Sequence, residues 1–149
     1  MRHFIDQYYC YRLGGDYVRS SGTAHWERIW FKAVRSREAE KRGDGREALV
    51  KEHVVPLKVI CEVLVQQNGM HELSLNEIGA ILGQLTHFAI ITKDEDRRLR
   101  EAGLASRMPF KPLAEHPFFA DLFARYHQVG IEMREAAFGR DLESPSAVR

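Results

Sequence analysis

The chain is short of every feature that announces a specialised class. It has two cysteines, Cys10 and Cys61, without Cys-x-x-Cys spacing, so neither a disulfide framework nor a zinc ribbon is written in it. Both are expected to be reduced, buried thiols of an intracellular protein. No apolar run approaches the ~20 residues that cross a bilayer, and the N-terminus lacks the basic start and apolar centre of a secretory signal. A soluble, cytoplasmic protein with no membrane partner is therefore expected. An excess of one charge is missing too. The 22 Lys and Arg residues stand against 21 Asp and Glu, a formal net charge of +1, so attraction to nucleic acid must come from local patches. Gly14-Gly15 and Gly43-Asp44-Gly45 are not followed by the lysine and hydroxyl of a phosphate-cradling loop. No His-x-x-x-His pair shares a helix face, and no serine-nucleophile pattern occurs.

What is present is an ordinary globular composition, 149 residues of which 44% are hydrophobic, enough to build a core without staples. The expected fold is mainly α: a single compact domain over 1–139, with about five to six helices and one or two short strands. A polar tail, 140–149, is expected to be frayed. Residues 3–13 favour a helix, with Phe4, Tyr8 and Tyr11 about a turn apart, although Ile5, Tyr9 and Tyr11 also suit a strand. A second helix is expected from Thr23 to about Lys41, with Trp26, Ile29, Trp30, Ala33 and Val34 as its inward stripe.

Pro56 suits the first position of a third helix, apolar nearly all round from Leu57 to Val65 and closed by Gln66-Gln67-Asn68-Gly69. Ser74-Leu75-Asn76-Glu77 has the spacing of a capping box, opening a helix over about 75–86 with Leu75, Ile78, Leu82 and Leu85 inward. Phe88-Ala89-Ile90-Ile91 reads as a brief buried strand before a second box, Thr92-Lys93-Asp94-Glu95. The helix that follows carries Leu99 and stops at Gly103. A last long helix is expected from near Pro117 to Gly139, presenting Phe119, Leu122, Phe123, Tyr126 and Met133.

Chemistry has one natural starting point, Glu52-His53-Val54-Val55-Pro56. An imidazole titrates near neutrality and suits proton transfer, and an adjacent carboxylate can bind a cation or a proton. The plain structural alternative has His53 capping the Pro56 helix or packing on the core rim, bonded to Glu52 or to backbone. A further arrangement folds the acidic turn Asp94-Glu95-Asp96 back beside His53 as a metal partner. That turn also has a simple reading, since carboxylates in a helix's first turn interact favourably with its dipole. His71, His87, His116 and His127 are expected at the surface.

The five residues from Glu52 to Pro56 resemble the opening of HNH-type nuclease sites, where an acidic residue and a histidine precede two aliphatics and a proline. The resemblance implies Glu52 as a ligand of a divalent metal (Mg, Mn or Zn) and His53 as the base that deprotonates the attacking water. It further implies an asparagine orienting the histidine and a later residue completing the metal shell, for which Asn68 and Asn76 have the spacing.

Binding surfaces are suggested by bases between Arg28 and Lys51, namely Arg28, Lys32, Arg35, Arg37, Lys41, Arg42 and Arg46. Such a face can follow phosphates, although Glu27, Glu38, Glu40, Asp44 and Glu47 interleave with it as ion-pair partners. Arg97, Arg98, Arg100 and Arg107 form a second cluster. Tyr8, Tyr9 and Tyr11 offer either a stacking platform or core material. The preferred expectation is a binding or regulatory protein without cofactor. It contacts a protein or nucleoprotein partner through Arg28, Lys32, Arg35, Arg37, Arg42 and Arg46, with nucleic acid reached through the basic patches. The alternative is an HNH-like metal-dependent nuclease with His53 as base.

Overall fold

The computed structural model describes residues 2–12, 30, 33–43, 45–109 and 121–134. It places six α-helices and a small three-stranded sheet among them, an α+β mixture. The first helix, α1 (Arg2–Arg12), resolves the N-terminal ambiguity in favour of the helix, with Ile5 and Tyr9 inward and Phe4 outward. The expected second helix is corrected at its C-terminal half. Val34–Arg35 form strand β1, and Ser36 then caps a new short helix, α2 (Arg37–Lys41), its hydroxyl accepting from the Ala39 N–H at 3.1 Å. Val34 fits the helical stripe by spacing, but a β-branched residue beside a buried strand gains more by pairing. The expected residues Trp26, Ile29, Arg28 and Lys32, the stretch near Pro117 with Phe119, His116, and the tail 140–149 lie outside the described residues.

Strand β2 (Leu49–His53) and helix α3 (Leu57–Met70) follow, then α4 (Leu75–Leu85), strand β3 (Phe88–Thr92) and α5 (Lys93–Glu101). Both capping boxes form as the sequence predicts, Ser74 with Glu77 and Thr92 with Glu95. Leu75 is a correction. As the first helical residue it points to water, 87% exposed, and the inward face of α4 is Ile78, Leu82 and Leu85. The last expected helix is also corrected. Among the described residues of that stretch only α6 (Ala124–Gln128) is helical, because Gly130 at φ +69° turns the chain out, and Met133 then bridges to Ser36.

The sheet order is β1-β3-β2, with β1 parallel and β2 antiparallel to β3. All five residues of β3 are buried, as expected of a central strand covered on both faces. Alternation assigns the faces. Phe88 and Ile90 pack with Tyr9 of α1, Ala39 of α2 and Leu49 of β2. Ala89 and Ile91 pack on the other face with Leu99 of α5 and Tyr126 of α6. A further core joins Ile5 to Val59, Ile60 and Val63 of α3 and Leu82 and Leu85 of α4. No helix among the described residues is long and apolar enough to cross a membrane.

Candidate functional site

Residues 52 and 53 lie at the C-terminal end of β2, a strand at the sheet margin. The register pairs Glu52 with Ala89 and His53 with Phe88, so the two side chains emerge on opposite faces. This geometry rules out the expected bond between them, and each finds a partner elsewhere. Nor does His53 cap α3, whose N-cap is Pro56 without any side-chain bond.

On the α1 face, His53 Nε2 stands 2.8 Å from Asp6 Oδ1, in a pair whose side chains are 10% and 7% exposed. The ring packs on Phe88 at a centroid distance of 4.5 Å. With Asp6 accepting from Nε2–H, the remaining lone pair of a neutral ring belongs to Nδ1, a tautomer assigned from the hydrogen bond.

On the α6 face, Glu52 Oε2 is 3.0 Å from Arg125 Nη2, and the guanidinium is only 1% exposed. Arg125 also donates to the carbonyls of Val54 (2.9 Å), Leu104 (3.0 Å) and His53, and to the Tyr126 hydroxyl (3.0 Å). Glu52 Oε1 is buried and has no partner among the described residues. Burial pushes the Glu52 carboxyl up from its ordinary value, against the opposing pull of Arg125 and the Tyr126 hydroxyl, with Asp96 adding to the rise. Burial likewise pushes the Tyr126 phenol well up, and the neighbouring Glu52 charge reinforces it.

The two halves meet in a cleft of about 670 Å³. Asp6, Glu52, His53 and Arg125 line it, together with Lys51, Lys58 at the start of α3, Phe88 and the Ala105-Ser106 loop. The Lys51 ammonium sits over the Phe88 ring at 4.9 Å. A cleft with an oriented imidazole, a carboxyl of raised pKa and several cations is equipped for proton transfer on an anionic substrate.

The other residues singled out by sequence fall elsewhere. Asn68 is on the last turns of α3, its carboxamide oxygen accepting from the Leu73 N–H, and Asn76 stands exposed on the first turn of α4. The acidic turn opens α5 beyond Thr92, which pairs with Leu49 at the opposite end of β2 from His53. Asp96 is near enough to Glu52 to raise its pKa, while its own carboxylate bonds Arg100 at 2.6 Å. His71 and His127 are exposed, whereas His87 is half-buried. Cys61 is half-buried as well.

A divalent metal requires several converging donors. Glu52 Oε1 is one available oxygen, but its partner oxygen is held by Arg125, and Asn76 does not line the cleft. No group of three or more His, Cys, Asp or Glu among the described residues is placed to hold a metal ion. The described donors therefore do not converge as such an ion requires.

Of the basic surface, Arg37, Arg42 and Arg46 are exposed, and Arg37 pairs with Glu132 at 2.9 Å. Arg35 and Arg46 approach the Trp30 ring, at 6.0 and 5.5 Å from its centroid. Sequence reasoning missed Asp6 and Arg125. The only local sign of either was a charged residue within an otherwise apolar or aromatic stretch. No family model, curated protein or solved structure matches the chain.

Proposed function

We propose that the chain is a hydrolase acting on phosphate esters, nucleic acid foremost, at the β2 cleft, with His53 as general base. The observation that carries this reading is the Asp6–His53 pair, 2.8 Å apart and mostly buried, in the same cleft as Glu52. A carboxylate that fixes one ring nitrogen leaves the other aligned as a base, the arrangement general-base catalysis calls for. The likeness of Glu52-His53-Val54-Val55-Pro56 to HNH-type nucleases supports the choice of phosphodiester.

In the proposed step, His53 Nδ1 takes a proton from water as the water oxygen bonds to phosphorus. The ester P–O bond breaks, and the departing alkoxide takes a proton from the Glu52 carboxyl, whose hold on a proton burial strengthens. Exchange with solvent then returns a proton to Glu52 and removes one from His53. Lys51 and Lys58 offset the charge that develops on the phosphoryl oxygens.

The test is cleavage of single-stranded and duplex DNA, RNA and bis(p-nitrophenyl) phosphate, with and without added Mg, Mn or Zn. His53→Ala and Asp6→Asn protein serve as comparisons. Removing a general base lowers the rate by about 10²–10⁴-fold, so equal cleavage by His53→Ala and parent protein eliminates the reading.

The Trp30 surface supports a second reading, a binding protein for a protein or nucleoprotein partner. Two guanidinium groups about an indole suit stacked or phosphate-bearing ligands. Arg42→Ala and Arg46→Ala would weaken such binding and lower its salt dependence by about one ion per contact.

A further inference from the structure

Arg125 is the most fully engaged side chain of the cleft. A guanidinium carries five N–H donors in a fixed planar fork. Here they serve the carbonyls of His53, Val54 and Leu104, the Tyr126 hydroxyl and the Glu52 carboxylate. These acceptors belong to three different segments around the cleft. His53 and Val54 end β2, where the last ladder bond runs from the Val54 N–H to His87 O at 2.9 Å. Leu104 leads into the Ala105-Ser106 loop, and Tyr126 shares α6 with Arg125 itself.

We propose that Arg125 is a positioning residue of this site. It holds the end of β2 much as a neighbouring strand would, so that Glu52 and His53 face one cleft although they leave the strand on opposite sides. Without the fork, the His53 and Val54 carbonyls lose their donors, and the peptide plane that aims the imidazole is free to turn. Asp6 fixes the ring at its tip, whereas Arg125 fixes its root.

The effect on turnover rests on the hydrolytic reading, but the effect on the imidazole does not. Arg125→Lys keeps a cation beside Glu52 and cannot reach three carbonyls at once. In folded R125K, kcat for bis(p-nitrophenyl) phosphate is expected to fall about 100-fold, the usual consequence of an ångström of misplacement, with KM nearly unchanged. Proton–nitrogen NMR of the imidazoles is expected to show the His53 ring leaving its single tautomer, while His71 and His127 keep theirs. Added guanidinium ion should restore both readouts in R125A.

If R125K or R125A fails to fold, E52Q/R125M removes the buried pair together, leaves no lone buried charge and permits the same spectra. Folded variants whose His53 signals match the parent's overturn the proposal. Parent protein that cleaves nothing overturns the hydrolytic reading instead, and the His53 spectra still decide the role of Arg125.

Discussion

Removing the carboxylate of Glu95 should cost far more than removing an ordinary helix-capping glutamate. Glu95 is 2% exposed, and its Oε2 accepts from the Ser36 hydroxyl at 2.7 Å and from the Thr92 N–H at 2.8 Å, both buried. The first bond spans 59 residues and ties the cap of α2 to the cap of α5. In Glu95→Ala two buried donors lose their acceptor, at about 1–3 kcal/mol each, so the expected loss is about 3–4 kcal/mol. Glu95→Gln retains a carbonyl oxygen that both donors can share and should lose only about 1 kcal/mol. Urea denaturation followed by circular dichroism measures this. The midpoint for Glu95→Ala should fall by more than about 1 M at unchanged slope. A loss below about 1 kcal/mol, or Glu95→Gln as damaging as Glu95→Ala, refutes the idea that this oxygen serves two buried donors.

Three other outcomes are expected. Gly103 has φ +70°, and a Cβ there would meet Arg107 Nη2 at 3.1 Å, whereas at Gly43 (φ +61°) it would meet nothing within 4 Å. Gly103→Ala and Gly43→Ala should therefore each cost about 1–2 kcal/mol of left-handed strain in chemical denaturation, with little added at Gly103 because the Arg107 tip is exposed and can shift. The Ser74 hydroxyl and N–H, with His71, lower the Glu77 pKa to about 2 from 4.5. Its contribution to stability is thus complete above about pH 4.5 and lost as pH falls through 2; Glu77→Gln should flatten the acid limb of a stability-against-pH curve in that window. Glu52 has the opposite sign. Its folded pKa lies above 4.5, so its favourable contribution exists below 4.5 and disappears as pH rises through the folded value, a decline that Glu52→Gln should abolish in the same measurement.

The parts of this fold that the sequence disclosed are those fixed within four residues. Ser74 with Glu77 and Thr92 with Glu95 form capping boxes because both partners lie on one turn. Phe88 to Thr92 reads as a strand because a central strand is apolar on both faces. Strand β2 was illegible by the same logic. Leu49-Val50-Lys51-Glu52-His53 has an open side, and three of its five residues are polar because they line a cleft. Two-residue β1 is too short for any period, and Val34 continues a helical spacing that only pairing with Ala89 interrupts. The candidate site was half visible. His53 and Glu52 stand out as chemistry, but Asp6 lies 47 residues from His53, and the carbonyls that bury Arg125 reach 72 residues away. No periodicity encodes such meetings.

Strand geometry explains why a dipeptide serves as the kernel of this cleft. Neighbours on a strand point apart, so Glu52 and His53 cannot quench each other through a direct ion pair. Each is left to be tuned by a different layer. The α1 layer supplies a carboxylate that orients the imidazole. The α6 layer supplies a guanidinium and a phenol around a carboxyl whose burial outweighs both. Two adjacent residues of one strand are thereby set in different environments, the arrangement on which the proposed hydrolysis rests. The margin of the sheet is where this is achievable, because only there do both faces open onto a common cleft. An identical dipeptide in β3 would be divided by the sheet itself, with Ala89 and Phe88 showing the two separate cores that such positions enter.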